Sequence, residues 1–106
     1  DMVLRGGENI YCAEVEAALH QNPAVAECSV FGVPDDRLGE EVGAAIHLRA
    51  GEAPDAQGLR DEVARLIAKH KAPRYIWLMD QPLPRNANGK FLKRELRETL
   101  KLEDAL

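Results

Sequence analysis

EVGAAIHLRA, residues 41–50, alternates in a way that decides the fold. Val42, Ala44, Ile46 and Leu48 fall to one side, and Ala45, His47 and Arg49 to the other. That period of two is the mark of a pleated strand with one apolar face. His47 lies on the more polar side and reads as a surface residue rather than a catalyst. Just upstream, AVAECSVFGV (24–33) is a second strand of small and β-branched residues. Pro34-Asp35-Asp36 closes it with a turn signal.

Working outward, the spacing predicts a short helix from Cys12 to His20, with Val15, Ala18 and Leu19 on one face, stopped by Asn22-Pro23. Before it, DMVLRGGENIY reads as a strand over Met2–Leu4, a Gly6-Gly7 turn and a helix entry. That first strand wants a partner, and the chain looks like a piece of something longer. Downstream, GEAPDA is a loop with Asp55 as an N-cap. A helix to about His70 follows, with Leu59, Val63, Leu66 and Ile67 as its core stripe. Residues 69–73 break it, and RYIWLM (74–79) is a short apolar strand. After a turn-rich loop, a last helix from Leu92 to about Lys101 buries Leu92, Leu96 and Leu100. It shows Lys93, Arg97 and Lys101 on another face. The order β-α-β-β-α-β-α predicts an α+β domain: a small, mostly antiparallel or mixed sheet with about three helices packed on it.

The chain's 106 residues suit one domain spanning 1–106, with 45% hydrophobic and 30% charged residues. No apolar run approaches the ~20 residues of a membrane-spanning helix, and no signal-peptide pattern is present. Cys12 and Cys28 lack the CxxC spacing of a zinc site and are expected as reduced thiols of a cytoplasmic protein. His20, His47 and His70 stand far apart in sequence, so no metal site is expected. Charge is uneven. Residues 1–68 carry five Lys/Arg against thirteen Asp/Glu, whereas residues 69–101 carry nine against three. A basic end on an acidic domain points to an anionic ligand for the C-terminal third.

Lys90 is the cation that raises the sharpest question. LPRNANGKFLKREL (83–96) places it behind Gly89, at the tip of a polar turn before a helix. A phosphate loop would need G-x-x-x-x-G-K-[ST] between a strand and a helix. Pro84 stands where its first glycine would be and Phe91 where its hydroxyl would be, so that reading fails.

GGENIYCAEVE (6–16), HKAPRY (70–75) and LPRNANGKFLKRELR (83–97) together resemble the C-terminal domain of adenylate-forming acyl-CoA synthetases, in order and spacing across essentially the whole chain. The resemblance implies a lid domain that rotates against a large N-terminal AMP-binding domain. The implied reaction has two halves: a carboxylate attacks ATP to give an acyl-adenylate and pyrophosphate, then coenzyme A displaces AMP to form a thioester. ATP and coenzyme A are then substrates, with Mg2+ expected on the N-terminal domain. Lys90 matches the adenylation lysine, and Gly89 would keep its loop slender. Gly6, Gly7, Glu8 and Asn9 match the glycine loop that lines the pantetheine tunnel, and Glu14 matches a glutamate on the following helix. His70, Lys71 and Arg74 are the implied contacts for the coenzyme A nucleotide. Some relatives have arginine where Ala72 sits and tryptophan near Leu38, so those contacts are absent here. Cys12 also stands where many relatives have proline.

GGENIYCAEVE looks more like the acyl- and aryl-CoA ligase branch than the adenylation lid of peptide synthetases. The latter remains the alternative. A second alternative, from another class, is that the basic helix 93–101 docks nucleic acid or an acidic protein. Glu95 and Glu98 dilute that helix, and few aromatics are placed for base stacking, so no nucleic-acid partner is expected.

Overall fold

A computed structural model describes all 106 residues. The alternating stretch becomes β4 (Gly39–Leu48), the strand from which the rest of the sheet is built. Its antiparallel partner is β3 (Val25–Asp35), paired from Val25↔Leu48 to Asp35↔Gly39 with a register shift between Val25 and Glu27. The Asp35 carboxylate shapes the turn between them by accepting from the amides of Arg37 at 3.1 Å and Leu38 at 2.8 Å. On the other edge of β4, β5 (Tyr75–Met79) runs parallel, with Gly43↔Tyr75 through His47↔Met79. That pairing requires a long crossover, which α2 (Ala56–Leu66) supplies. A hairpin of β1 (Met2–Arg5) and β2 (Glu8–Tyr11) joins the sheet at Arg5↔Gly39. The five-stranded mixed sheet and three helices match the predicted α+β class.

Both faces of the sheet are buried. Val30, Ala44, Ile46 and Ile76 pack under Val15 and Leu19 of α1 (Cys12–Leu19) and Leu59 and Val63 of α2. On the opposite face Phe31, Val33, Ala45 and Trp77 are covered by Leu83 and by Leu96 of α3 (Lys93–Thr99). Phe31 and Trp77 stack with ring centroids 5.8 Å apart, and the indole N–H donates to the Lys101 carbonyl at 2.8 Å.

Four expectations are corrected. Glu8–Tyr11 is a strand rather than a helix entry, because Gly6 adopts a φ of +59° at the first turn position and folds a two-residue hairpin. The second helix stops at Leu66, which is 53% exposed and outside the core stripe. The chain then turns extended at Ala68, before a 3-10 turn at Lys69–Lys71. The last helix is shorter than expected, and only Leu96 is fully buried, with Leu92 and Leu100 half-buried. His47 is no plain surface residue: it is half-buried, with Nδ1 2.9 Å from the Met79 carbonyl.

Asp55 does cap α2, its Oδ1 accepting from the Gly58 amide at 2.7 Å. Asp55→Ala should therefore lower stability by about 1 kcal/mol, the usual cost of a lost cap. Urea unfolding followed by emission of Trp77, the one tryptophan, would measure it.

Candidate functional site

Lys90 sits on a finger, residues 83–92, whose shape follows from its sequence. The Asn86 carbonyl accepts from the Gly89 amide at 3.0 Å, and its amide donates to the Lys90 carbonyl at 2.8 Å. This is a three-residue hairpin loop, which needs a left-handed residue at its third position, and Gly89 has φ +82°. The Asn86 side chain adds bonds from the Asn88 and Lys90 amides at 2.9 and 3.0 Å. Lys90 is thus presented at the end of a closed hairpin. Its ammonium is exposed and makes no ion pair within the domain.

The finger is tied to the domain through β3. Glu27 accepts from the Leu83 amide at 2.8 Å and from Arg85 Nη2 at 2.8 Å. Burial alone would raise the Glu27 pKa, but the bonds from Arg85 and the Leu83 amide outweigh it and hold the carboxyl below its usual range. With a lowered folded-state pKa, its contribution is present above the ordinary carboxylate range and is lost only as pH falls through that lowered value. The tie therefore holds at neutral pH.

The glycine hairpin forms a second group. Gly6 is a structural glycine: besides its positive φ, a Cβ there would lie 3.3 Å from Leu38 Cδ2, and its amide donates to the Leu38 carbonyl at 2.7 Å. Gly7 differs, since a Cβ on it would meet nothing within 4 Å. Nothing inside the domain requires Gly7 to be glycine. Glu8 and Asn9 are exposed beside it, and Glu8 lies 3.8 Å from His70 Nε2.

The third group is an open cleft of about 750 Å3 between α2 and the 69–74 segment. It takes in His70 and Arg74 and adds Arg5, Arg60, Arg65 and Lys69, which sequence reading missed. The two helical arginines carried no signal, because a charged residue on an amphipathic helix reads as solvated. Arg5 is neutralised by Glu41 at 2.7 Å. Arg60 serves as a structural clamp, donating to the carbonyls of Pro73 at 2.6 Å and Leu106 at 2.8 Å. Burial, and then the nearby Arg74 charge, lower its pKa. Lys71 is not in the cleft; it pairs with Glu14 at 2.8 Å. Arg65, Lys69 and Arg74 make no ion pair within the domain, while Asp61 also lines the cleft and His70 faces Glu8.

These groups lie on different sides of the sheet. The hairpin and the 69–74 segment are anchored by Val3, Ile10 and Ala72 to the core under α1 and α2. The finger is anchored by Leu83 and Phe91 to the core under α3. No cluster of His, Cys, Asp or Glu is placed to hold a metal ion. No helix is long and apolar enough to cross a membrane. Cys12 and Cys28 are free and buried, and burial raises both thiols, Cys28 to about 12. Neither is a nucleophile at neutral pH. The basic helix is largely engaged within the domain. Lys93 pairs with Asp1 at 2.6 Å and Glu16 at 2.9 Å, Arg94 with Glu98 at 3.3 Å, and Arg97 lies 3.8 Å from Glu40. That counts against nucleic-acid docking, which needs cations free to meet phosphates.

Comparison with known proteins gives a consistent picture. The family profile described as the AMP-binding enzyme C-terminal domain matches residues 14–90. The mitochondrial medium-chain acyl-CoA ligase ACSF2 of Danio rerio is 45% identical over 98 residues, covering 92% of this chain and 16% of that protein. The 2-succinylbenzoate–CoA ligase of Geobacillus kaustophilus is 42% identical over 100 residues, covering 94% of this chain and 20% of that protein. A crystal structure of an acyl-CoA synthetase from Brucella canis superposes with a TM-score of 0.86 at 34% identity, covering 92% of this chain and 18% of that one. The chain thus spans about a fifth of the length of the relatives it matches.

Proposed function

The chain belongs to the AMP-binding enzyme C-terminal domain family, and we propose that residues 1–106 are the mobile lid of an ATP-dependent acyl-CoA ligase. The observation that carries this reading is the unpaired Lys90 on its finger, set across the sheet from the glycine hairpin. A lid that presents one face in each half-reaction needs such a division.

In the first half, the carboxylate oxygen of the acid attacks the α-phosphorus of ATP, and pyrophosphate leaves. Lys90 donates hydrogen bonds to the carboxylate and phosphate oxygens as negative charge moves between them. A compact ammonium on a flexible stem suits this, and exclusion of water strengthens it. In the second half, the sulfur of coenzyme A attacks the acyl carbonyl, and AMP leaves. Gly7, with no side chain, leaves room for the pantetheine arm, and Glu8 and Asn9 shape the loop beside it. His70 and Arg74, with Arg65 and Lys69, meet the nucleotide end of coenzyme A. Lys71, held by Glu14, stiffens that segment.

The acyl pocket and Mg2+ belong in this reading to the N-terminal AMP-binding domain, the lid's partner in the same polypeptide. The free buried thiols fit a reducing compartment, and we place the enzyme in the cytoplasm.

The test is product analysis on the full-length protein with ATP, coenzyme A and a panel of fatty and aromatic acids. Acyl-CoA should accumulate with equal amounts of AMP and pyrophosphate, and the 106-residue chain alone should turn nothing over. ADP and phosphate as products, or steady thioester synthesis by the lid alone, would overturn the reading.

A further inference from the structure

We propose that Arg85 is a positioning residue for adenylation, one whose guanidinium ties the Lys90 finger to β3 and sets the angle at which Lys90 is presented. The inference rests on the reading of Lys90 given above.

The bonds from Asn86 shape the tip of the finger internally, but they do not fix its direction relative to the sheet. Direction comes from what crosses between the two. Arg85 does so with both ends of its fork, donating from Nη2 to Glu27 on β3 at 2.8 Å and from Nη1 to the Gly89 carbonyl at 3.0 Å. Its Cζ also lies 4.2 Å from the centroid of the Phe91 ring, which packs into the core under α3. Glu27 is anchored in turn, because its other oxygen accepts from the Leu83 amide. One planar group thus joins β3, the tip beside Lys90 and the returning strand of the finger. A lysine cannot reproduce this, having one charged nitrogen and no plane to stack.

The Arg85 side chain is 46% exposed, so the ion pair itself adds little stability. Its effect lies in geometry. The stem of Lys90 is long and flexible, and a base that swings would spread the ammonium over many positions that miss the reacting oxygens. Misplacement on the order of 1 Å costs up to ~100-fold in rate.

Single-turnover kinetics on the full-length enzyme test the proposal, with adenylation and thioester formation measured separately. Arg85→Ala should slow adenylation at saturating ATP by at least ~10-fold, within that range. The KM for ATP and thioester formation from supplied acyl-adenylate should stay near wild type. Arg85→Lys should not restore the rate. Glu27→Gln, which changes no residue of the finger, should produce a loss in the same half-reaction. In a Lys90→Ala background, Arg85→Ala should add nothing further.

Wild-type adenylation in Arg85→Ala would overturn the proposal. So would rescue by Arg85→Lys, or a full-rate Glu27→Gln beside a slow Arg85→Ala, since Arg85 would then act through its charge on the substrate. Loss of both half-reactions with a lowered melting temperature would reduce Arg85 to a folding role. Failure of the underlying reading looks different: Lys90→Ala itself would then adenylate normally.

Discussion

Lys90→Ala in the full-length enzyme should slow acyl-adenylate formation by at least ~100-fold, or roughly 3 kcal/mol, the scale on which one donor to a developing negative charge is lost. The substitution removes the ammonium without reshaping the finger. The hairpin is closed by the backbone of residue 90, through its amide to Asn86 Oδ1 and its carbonyl to the Asn86 amide, and alanine keeps both. The ammonium has no partner inside the domain, so its loss breaks no ion pair there. Supplied with pre-formed acyl-adenylate and coenzyme A, the same variant should make thioester at nearly the wild-type rate. Rapid-quench measurement of each half separates the two. Equal slowing of both halves would mean that Lys90 does not serve one face of an alternating lid.

Gly7→Leu should give the reverse pattern, with adenylation close to normal and thioester formation slowed by about 100-fold or more, as expected when a reacting group is kept out of line. The structure makes this substitution a clean probe. A Cβ at Gly7 meets nothing within 4 Å, and Gly7 does not adopt a positive φ, so the lid has no internal reason to resist leucine. Gly6 is a poor choice, because its φ of +59° and the nearby Leu38 side chain would confound binding with misfolding. A Gly7→Leu enzyme that forms thioester at full speed would remove the hairpin from the pantetheine path.

Much of the site was legible in the sequence because its chemistry is local. The Asn-Gly-Lys turn depends on Asn86 and Gly89, three residues apart, and the glycine turn on Gly6 alone, although Glu8–Tyr11 after it read as a helix entry and forms a strand. The basic cleft was only half legible: His70 and Arg74 lie in one short motif, whereas Arg65 and Lys69 reach it from α2 and the segment after it. The Glu27–Arg85 tie joins residues 58 positions apart, and no periodicity or turn rule links them.

For the fold, the sequence by itself determined the strand that organises the sheet, the α2 cap and the α+β class, which follow from alternation, capping and the order of the elements. The turn after β3 was placed too early at Pro34, because that strand runs on through Pro34 and Asp35, paired with Glu40 and Gly39. The sequence also carried the position of Lys90 behind its glycine. Only the tertiary structure decided that β5 joins β4 in parallel and that the second face of β4 is a core. Ala45 looks like the outer side of a strand until Leu83 and Leu96 of α3 cover that face, and His47 until β5 brings the Met79 carbonyl beside its ring. Only the tertiary structure, too, engaged Lys93 with Asp1 and Glu16, and put the finger and the glycine hairpin on different sides of one sheet. Burial and charge pairing depend on which distant segments meet, and a single strand or helix shows the same pattern to the sequence whether one layer or two will cover it.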